Sequence, residues 1–126
     1  MYPEDLKYST EHFWVKIDGS KARIGITYFY QKQLEKIVYI DLPKAGITLI
    51  KGEPFGSIES SKTINDMISP VSGKVIEINS TLQDKPDTVS KDPYGAGWMV
   101  LLEMGNPDEA GSLISAGAYE SLVSKK

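Results

Sequence analysis

Short runs of β-branched and aromatic residues, each stopped by a turn, follow one another from His12 to Asn79. That punctuation leaves little room for long helices and calls for a sheet-based fold. "HFWVKI" (His12 to Ile17) suits a pleated surface, and "KARIGI" (Lys21 to Ile26) pairs back on it. "DGS" between them is a turn: Asp bonds to nearby backbone and Gly accepts positive φ. "TYFYQKQLEK" breaks the pattern. Thr27 is a good N-cap, and Leu34 and Ile37 fall on one helical face, so a short helix is expected. "IVYIDLP" returns to strand, "ITLIKGEPFGSIES" holds two strand runs broken at Lys51-Gly52, and "SPVSGKVIEIN" carries another turn at Pro70 and Gly73.

The end of the chain reads differently. "NPDE" (Asn106 to Glu109) puts Asn at an N-cap, Pro at the first helical position and Glu at the third. A helical segment is expected there, interrupted near Ser115-Ala116-Gly117 and resuming through "AYESLV". The stretch from Gln83 to Trp98 reads as loop, with Trp98 anchoring it to the core. With 126 residues and no linker-like composition, the expectation is one domain over residues 1–126. It has a β-rich core over roughly 7–104 and a helical region over 106–124.

Bulk properties narrow the function. The 14 basic residues are scattered among 17 acidic ones, for a net charge of −3, which does not describe a nucleic-acid binder. Cysteine is absent, which removes disulfides, thiolate metal sites and cysteine nucleophiles, and fits a reducing compartment. No apolar stretch approaches the ~20 residues a membrane helix needs. The N-terminus lacks the pattern of a signal peptide, so a cytoplasmic protein free of membranes is expected. Conventional catalysis has little to stand on. His12 is the only histidine, no serine has a matched base, and the glycines of "DPYGAGW" do not open a helix after a strand.

Lys62 is the residue with chemical promise. It lies between the strand runs with Ser61 and Thr63 beside it and Glu59 three positions before. Two readings stand: an exposed turn lysine in an interaction module, or an attachment point for a swinging cofactor. The second needs a lysine on a tight hairpin tip, clear of the body, with small neighbours and a rigid base beneath it. Ser61 and Thr63 are small enough for a modifying ligase, and Glu59 would orient that ligase or keep the turn solvated.

Taken in order, the segments resemble a known family. "YPEDLKYSTEHFWV", "GIT" (Gly25 to Thr27), "QLEKIVYIDLPKAG" (Gln33 to Gly46), "KGEPFGSIESSKT", "SPVSGKVIEIN", "KDPYGAGWMVLLE" and "NPDEAGSLISAGAYESL" are collinear with the H proteins of the glycine cleavage system. The resemblance implies a mainly β barrel-sandwich hybrid (hammerhead-type) lipoyl domain with a short internal helix and C-terminal helices. It implies lipoate joined by an amide to Lys62, with no catalytic site in the carrier itself. The implied partners are glycine decarboxylase (P-protein), aminomethyltransferase (T-protein) and dihydrolipoyl dehydrogenase (L-protein), plus the lipoate ligase or lipoyl transferase that loads it. A monomer serves several partners best.

The chain also departs from the family. Where the family places Glu between the His and the Trp, Phe13 stands here, and that Glu helps hold the loaded, cationic arm in a surface cleft. Asp66 matches another cleft-side acid and is retained. Tyr28, Phe29 and Tyr30 replace a more polar pattern, either covering the core or forming an altered docking face. Ser61 and Thr63 replace the usual Val and Ala beside the lysine. The loss at position 13 opens an alternative, a divergent H-like lipoate-binding protein carrying sulfur intermediates in sulfur oxidation. Biotin attachment is disfavoured, because a biotinyl lysine normally sits between two methionines.

Overall fold

The computed structural model describes residues 2–125. In chain order its elements are β1 (Lys7–Tyr8), β2 (Phe13–Asp18), β3 (Lys21–Ile26), α1 (Tyr28–Leu34), β4 (Ile37–Asp41), β5 (Thr48–Leu49) and β6 (Pro54–Ser60). There follow β7 (Ile64–Ile68), β8 (Gly73–Ile78), α2 (Thr81–Asp84), α3 (Thr88–Lys91) and β9 (Val100–Met104). A 3₁₀ helix (Pro107–Ser112) and α4 (Ala116–Ser124) complete the described chain. The strands form two antiparallel sheets, one ordered β1-β2-β3-β9-β8-β5 and the other β4-β6-β7. The expected mainly β architecture with a short internal helix is what the chain adopts.

Turn chemistry sets the sheet registers. Asp18 pairs with Lys21, and Gly19 between them has φ 63, so β2 and β3 close through a two-residue loop. Gly52 (φ 85) turns the chain between β5 and β6. Helix α1 starts where expected: the Thr27 hydroxyl accepts a hydrogen bond from Tyr30 N–H at 3.2 Å.

Strand β2 feeds two cores. Phe13 and Val15 point into the main cluster with Ile24, Ile40, Ile58, Met67 and Leu102. Trp14, on the opposite face, joins Leu6, Tyr8, Tyr119 and Val123 beneath α4. All three β2 residues are therefore buried, which is why the strand reads as a continuous apolar run. The aromatic run on α1 divides the same way: Tyr30 packs on the main cluster and Phe29 on the second. Both cover core.

Two expectations need correction. The stretch from Gln83 to Trp98 is not plain loop: α2 ends inside it and α3 lies wholly within it. Each is one four-residue turn, too short to show a helical period, pinned by the fully buried Leu82 and Val89. Trp98 does anchor the stretch, packing on the second cluster with the Arg23 guanidinium 4.5 Å above its ring. The C-terminal interruption also falls earlier than Ser115-Ala116-Gly117. "NPDE" opens a 3₁₀ helix, and Leu113 is already extended. Ile114 and Tyr8 exchange backbone hydrogen bonds of 2.8 and 2.9 Å, and this bridge draws the chain straight. Ser115 is then the N-cap of α4, its hydroxyl accepting from Ala118 N–H at 3.2 Å.

Candidate functional site

Lys62 sits at the tip of the β6–β7 hairpin. Glu59 pairs with Ile64 in the last rung, and Ser60 N–H donates to the Thr63 carbonyl at 2.8 Å to close the turn. The tip is built around one buried hydroxyl. Ser60 Oγ accepts from Lys62 N–H (3.2 Å) and Thr63 N–H (3.1 Å) and donates to the Thr63 carbonyl (3.3 Å). One hydroxyl thus serves two amides of the bend and holds it in one shape. Ser61, Lys62 and Thr63 are all exposed around it. Ser61 N–H also donates to the Lys36 carbonyl at 3.0 Å, tying the tip to the start of β4. A lysine on this base has a fixed root and an exposed side chain.

The Lys62 ammonium donates to Glu35 Oε1 at 2.9 Å, with the two side chains 53% and 64% exposed. Among the described residues, the acid at ion-pair distance from Lys62 is thus Glu35, not Glu59. Glu59 is half-buried on β6, between Tyr39 of β4 and Ile64 of β7. Glu35 follows α1 as its C-cap, with φ 62 and ψ −102. Neither Ser60 nor Glu35 is among the site residues expected from sequence. Ser60 was hidden among three neighbouring hydroxyls, and only burial singles it out. Glu35 is distant in sequence from the lysine it touches.

A surface hollow of about 420 Å³ opens nearby, with Asn65 and Asp66 of β7 on one wall and Glu11 and His12, just before β2, on the other. The structure thereby brings Asp66 and Phe13 to one hollow, but the two present themselves differently. Asp66 is exposed, whereas Phe13 is 1% exposed and meets the edges of Tyr30 and Phe55 at centroid distances of 5.8 and 5.7 Å. Phe13 is floor and core, and Glu11 supplies a second carboxylate at the rim. Burial, with help from the Asp66 carboxylate, pushes the Tyr30 phenol above its ordinary value, so it stays neutral. His12 holds a positive φ of 77, and its Nδ1 lies 2.8 Å from the Tyr119 hydroxyl, itself 2.7 Å from Thr27 Oγ1. The imidazole is thus built into the packing between β2 and α4.

No group of three or more metal-ligating side chains occurs among the described residues. No described helix is long and apolar enough to cross a membrane.

Comparison with known proteins decides the family. The family model described as glycine cleavage H-protein matches residues 6–126. The chain belongs to the glycine cleavage H-protein family. It is 45% identical over 122 residues to the glycine cleavage system H protein of Brevibacillus brevis, covering 97% of each chain. It is also 45% identical over 121 residues to that of Bacillus subtilis, covering 96% of this chain and 95% of the relative. The crystal structure of a glycine cleavage system H protein from Mycobacterium marinum superposes with a TM-score of 0.89 at 35% identity, covering 97% of this chain and 98% of that one. The two-sheet architecture is therefore the H-protein lipoyl-domain fold. Members of this family are lipoyl carriers without catalysis of their own, and that is the function class of this chain.

Proposed function

We propose that Lys62 is the lipoyl attachment residue and that the loaded arm carries an aminomethyl group from glycine decarboxylase to aminomethyltransferase, with dihydrolipoyl dehydrogenase restoring the disulfide. The observation that carries this reading is an exposed primary amine on a hairpin tip fixed from beneath by Ser60. When attached through an amide to that amine, the dithiolane supplies the sulfur that accepts and releases cargo. The chain's residues do the rest. Ser60 holds the turn, and Ser61 N–H anchors it to β4, so the root of the arm keeps one position. Ser61 and Thr63 leave the hairpin tip open to a ligase or lipoyl transferase, and Glu59, paired with Ile64 in the rung beneath, is placed to orient that enzyme.

The hollow between β7 and β2 offers Asp66 and Glu11 to a cationic arm end, over the apolar floor of Phe13 and Tyr30. This bears on the sulfur-carrying alternative. That alternative drew its support from the missing acid at position 13, and the rim retains two carboxylates for an aminomethyl cargo. By making one arm visit several active sites, the carrier raises the local concentration of the reactive sulfur at each.

The test is intact mass after co-expression with a lipoate ligase and lipoate. A single lipoyl increment that vanishes in Lys62→Arg supports the reading. An unmodified mass, or an increment that persists in the variant, overturns it.

A further inference from the structure

We infer that Glu35 is a specificity-determining residue for the modification of Lys62, a carboxylate latch that holds the unmodified amine until an enzyme displaces it. This rests on the reading of Lys62 as the attachment residue.

Two independent observations meet at Glu35. The first is its backbone. A φ of 62 with ψ of −102 is territory that glycine enters freely and a side chain does not, at a cost of about 1–3 kcal/mol. The second is its side chain, which reaches the Lys62 ammonium at 2.9 Å across 27 positions of sequence. An ion pair with both partners this exposed contributes only about 0–1 kcal/mol. The pair does not offset the backbone cost, so overall stability gives no reason for a glutamate here. What the glutamate does alter is the state of one amine.

The chemistry gives the direction. Acylation needs the lone pair of Nζ to attack a carbonyl carbon of an activated acyl donor. A C–N bond forms, the donor's leaving group departs with its electron pair, and a proton passes from nitrogen to solvent or base. A lysine whose Nζ is held by Glu35 must break that contact before the nitrogen can attack. The product amide carries no charge, so the pair exists before the reaction and not after it. An interaction made only in the starting state slows the step that abolishes it. Small reactive acyl donors meet that barrier unaided. A ligase that binds the hairpin tip can displace Glu35 with its own contacts. The latch therefore favours enzymatic loading over adventitious acylation, and loading releases the arm from the body of the carrier.

The test needs no ligase. The full chain, Glu35→Gln and Glu35→Gly are exposed briefly to limiting acetic anhydride at low ionic strength, and labelling of Lys62 is compared with that of the exposed Lys44 by peptide mapping. Glu35→Gln keeps the backbone cost and the side-chain length and removes only the charge. The expected result is faster labelling of Lys62 relative to Lys44 in Glu35→Gln, by up to about fivefold, the ceiling for an exposed pair. The difference should shrink at 1 M salt, where such a pair is screened. Glu35→Gly should show the same acceleration together with a higher urea midpoint. Equal or slower labelling of Lys62 in Glu35→Gln overturns the latch. That failure is separable from failure of the lipoyl reading: a normal lipoyl increment at Lys62 with unchanged acetylation sinks the latch alone, while absence of the increment removes the role it serves.

Discussion

Trp14 and Gly25 are direct partners across the β2–β3 ladder, and the indole lies over the glycine so closely that a Cβ at position 25 would come within 2.6 Å of the ring. The ring is held there by its own Nε1–H, which donates to the Pro93 carbonyl at 2.8 Å. Gly25→Ala must push a fully buried indole off that acceptor, so a loss of about 1–3 kcal/mol is expected. Urea unfolding measures it, and a variant as stable as the parent would show that the indole has room to move.

The two serines at the tip should behave differently. Ser60→Ala removes the hydroxyl to which two amides of a tight turn donate, and with water able to replace it in part a cost of about 0.5–1.5 kcal/mol is expected. Faster hydrogen exchange is expected at the Lys62 and Thr63 amides. Ser61→Ala alters an exposed side chain and should change stability by less than about 0.5 kcal/mol. Equal effects of the two substitutions would contradict the account of the turn.

Tyr119→Phe deletes a hydroxyl that contacts both His12 and Thr27. A cost of about 1–3 kcal/mol is expected from polar groups left without their partner. The His12 imidazole resonances should shift by NMR while those of the distant Gly46 turn do not.

Alkali should unfold the protein through its tyrosines. Burial pushes the Tyr94 phenol up from its ordinary value of 10.0 to about 12, the hydrogen bond from the Tyr28 backbone opposing only in part. Burial raises Tyr8 and Tyr119 as well. A raised folded value means that the unfolded chain releases protons first. The stabilisation is therefore complete below about pH 10 and for Tyr94 is lost between about pH 10 and 12. Urea midpoints measured from pH 8 to 12 should fall in that window, and Tyr94→Phe should fall less steeply. A flat profile would refute this.

If the rim carboxylates receive the cationic end of a loaded arm, Asp66→Asn with Glu11→Gln should expose that end to water. Faster spontaneous loss of an aminomethyl group from the loaded carrier is expected, followed by mass spectrometry, with stability changed little because both residues are exposed. An unchanged lifetime would leave the hollow without a part in carrying.

Much of the fold is legible in turn residues. Gly19, Gly46 and Gly52 adopt positive φ at loops between strands, and Thr27 caps the one early helix. Single-turn helices such as α2 and α3 leave no periodic trace, because one buried residue fixes each of them. At the C-terminus the Ile114–Tyr8 bridge outweighs local helix preference, and it joins residues from opposite ends of the chain. Lys62 stood out because its neighbours are small. Ser60 did not, because hydroxyls look alike until burial separates them. Glu35 did not, because its meaning lies in a backbone angle and a distant contact.

The bond from Ser61 N–H to the Lys36 carbonyl fastens the hairpin end to a strand outside the hairpin. A crane on so firm a footing has a reach decided by its jib alone. Each client enzyme must then bring its own reaction chamber to the same small dome of space, and two clients cannot occupy that dome together. Turn-taking among them would follow from one arm on one fixed root.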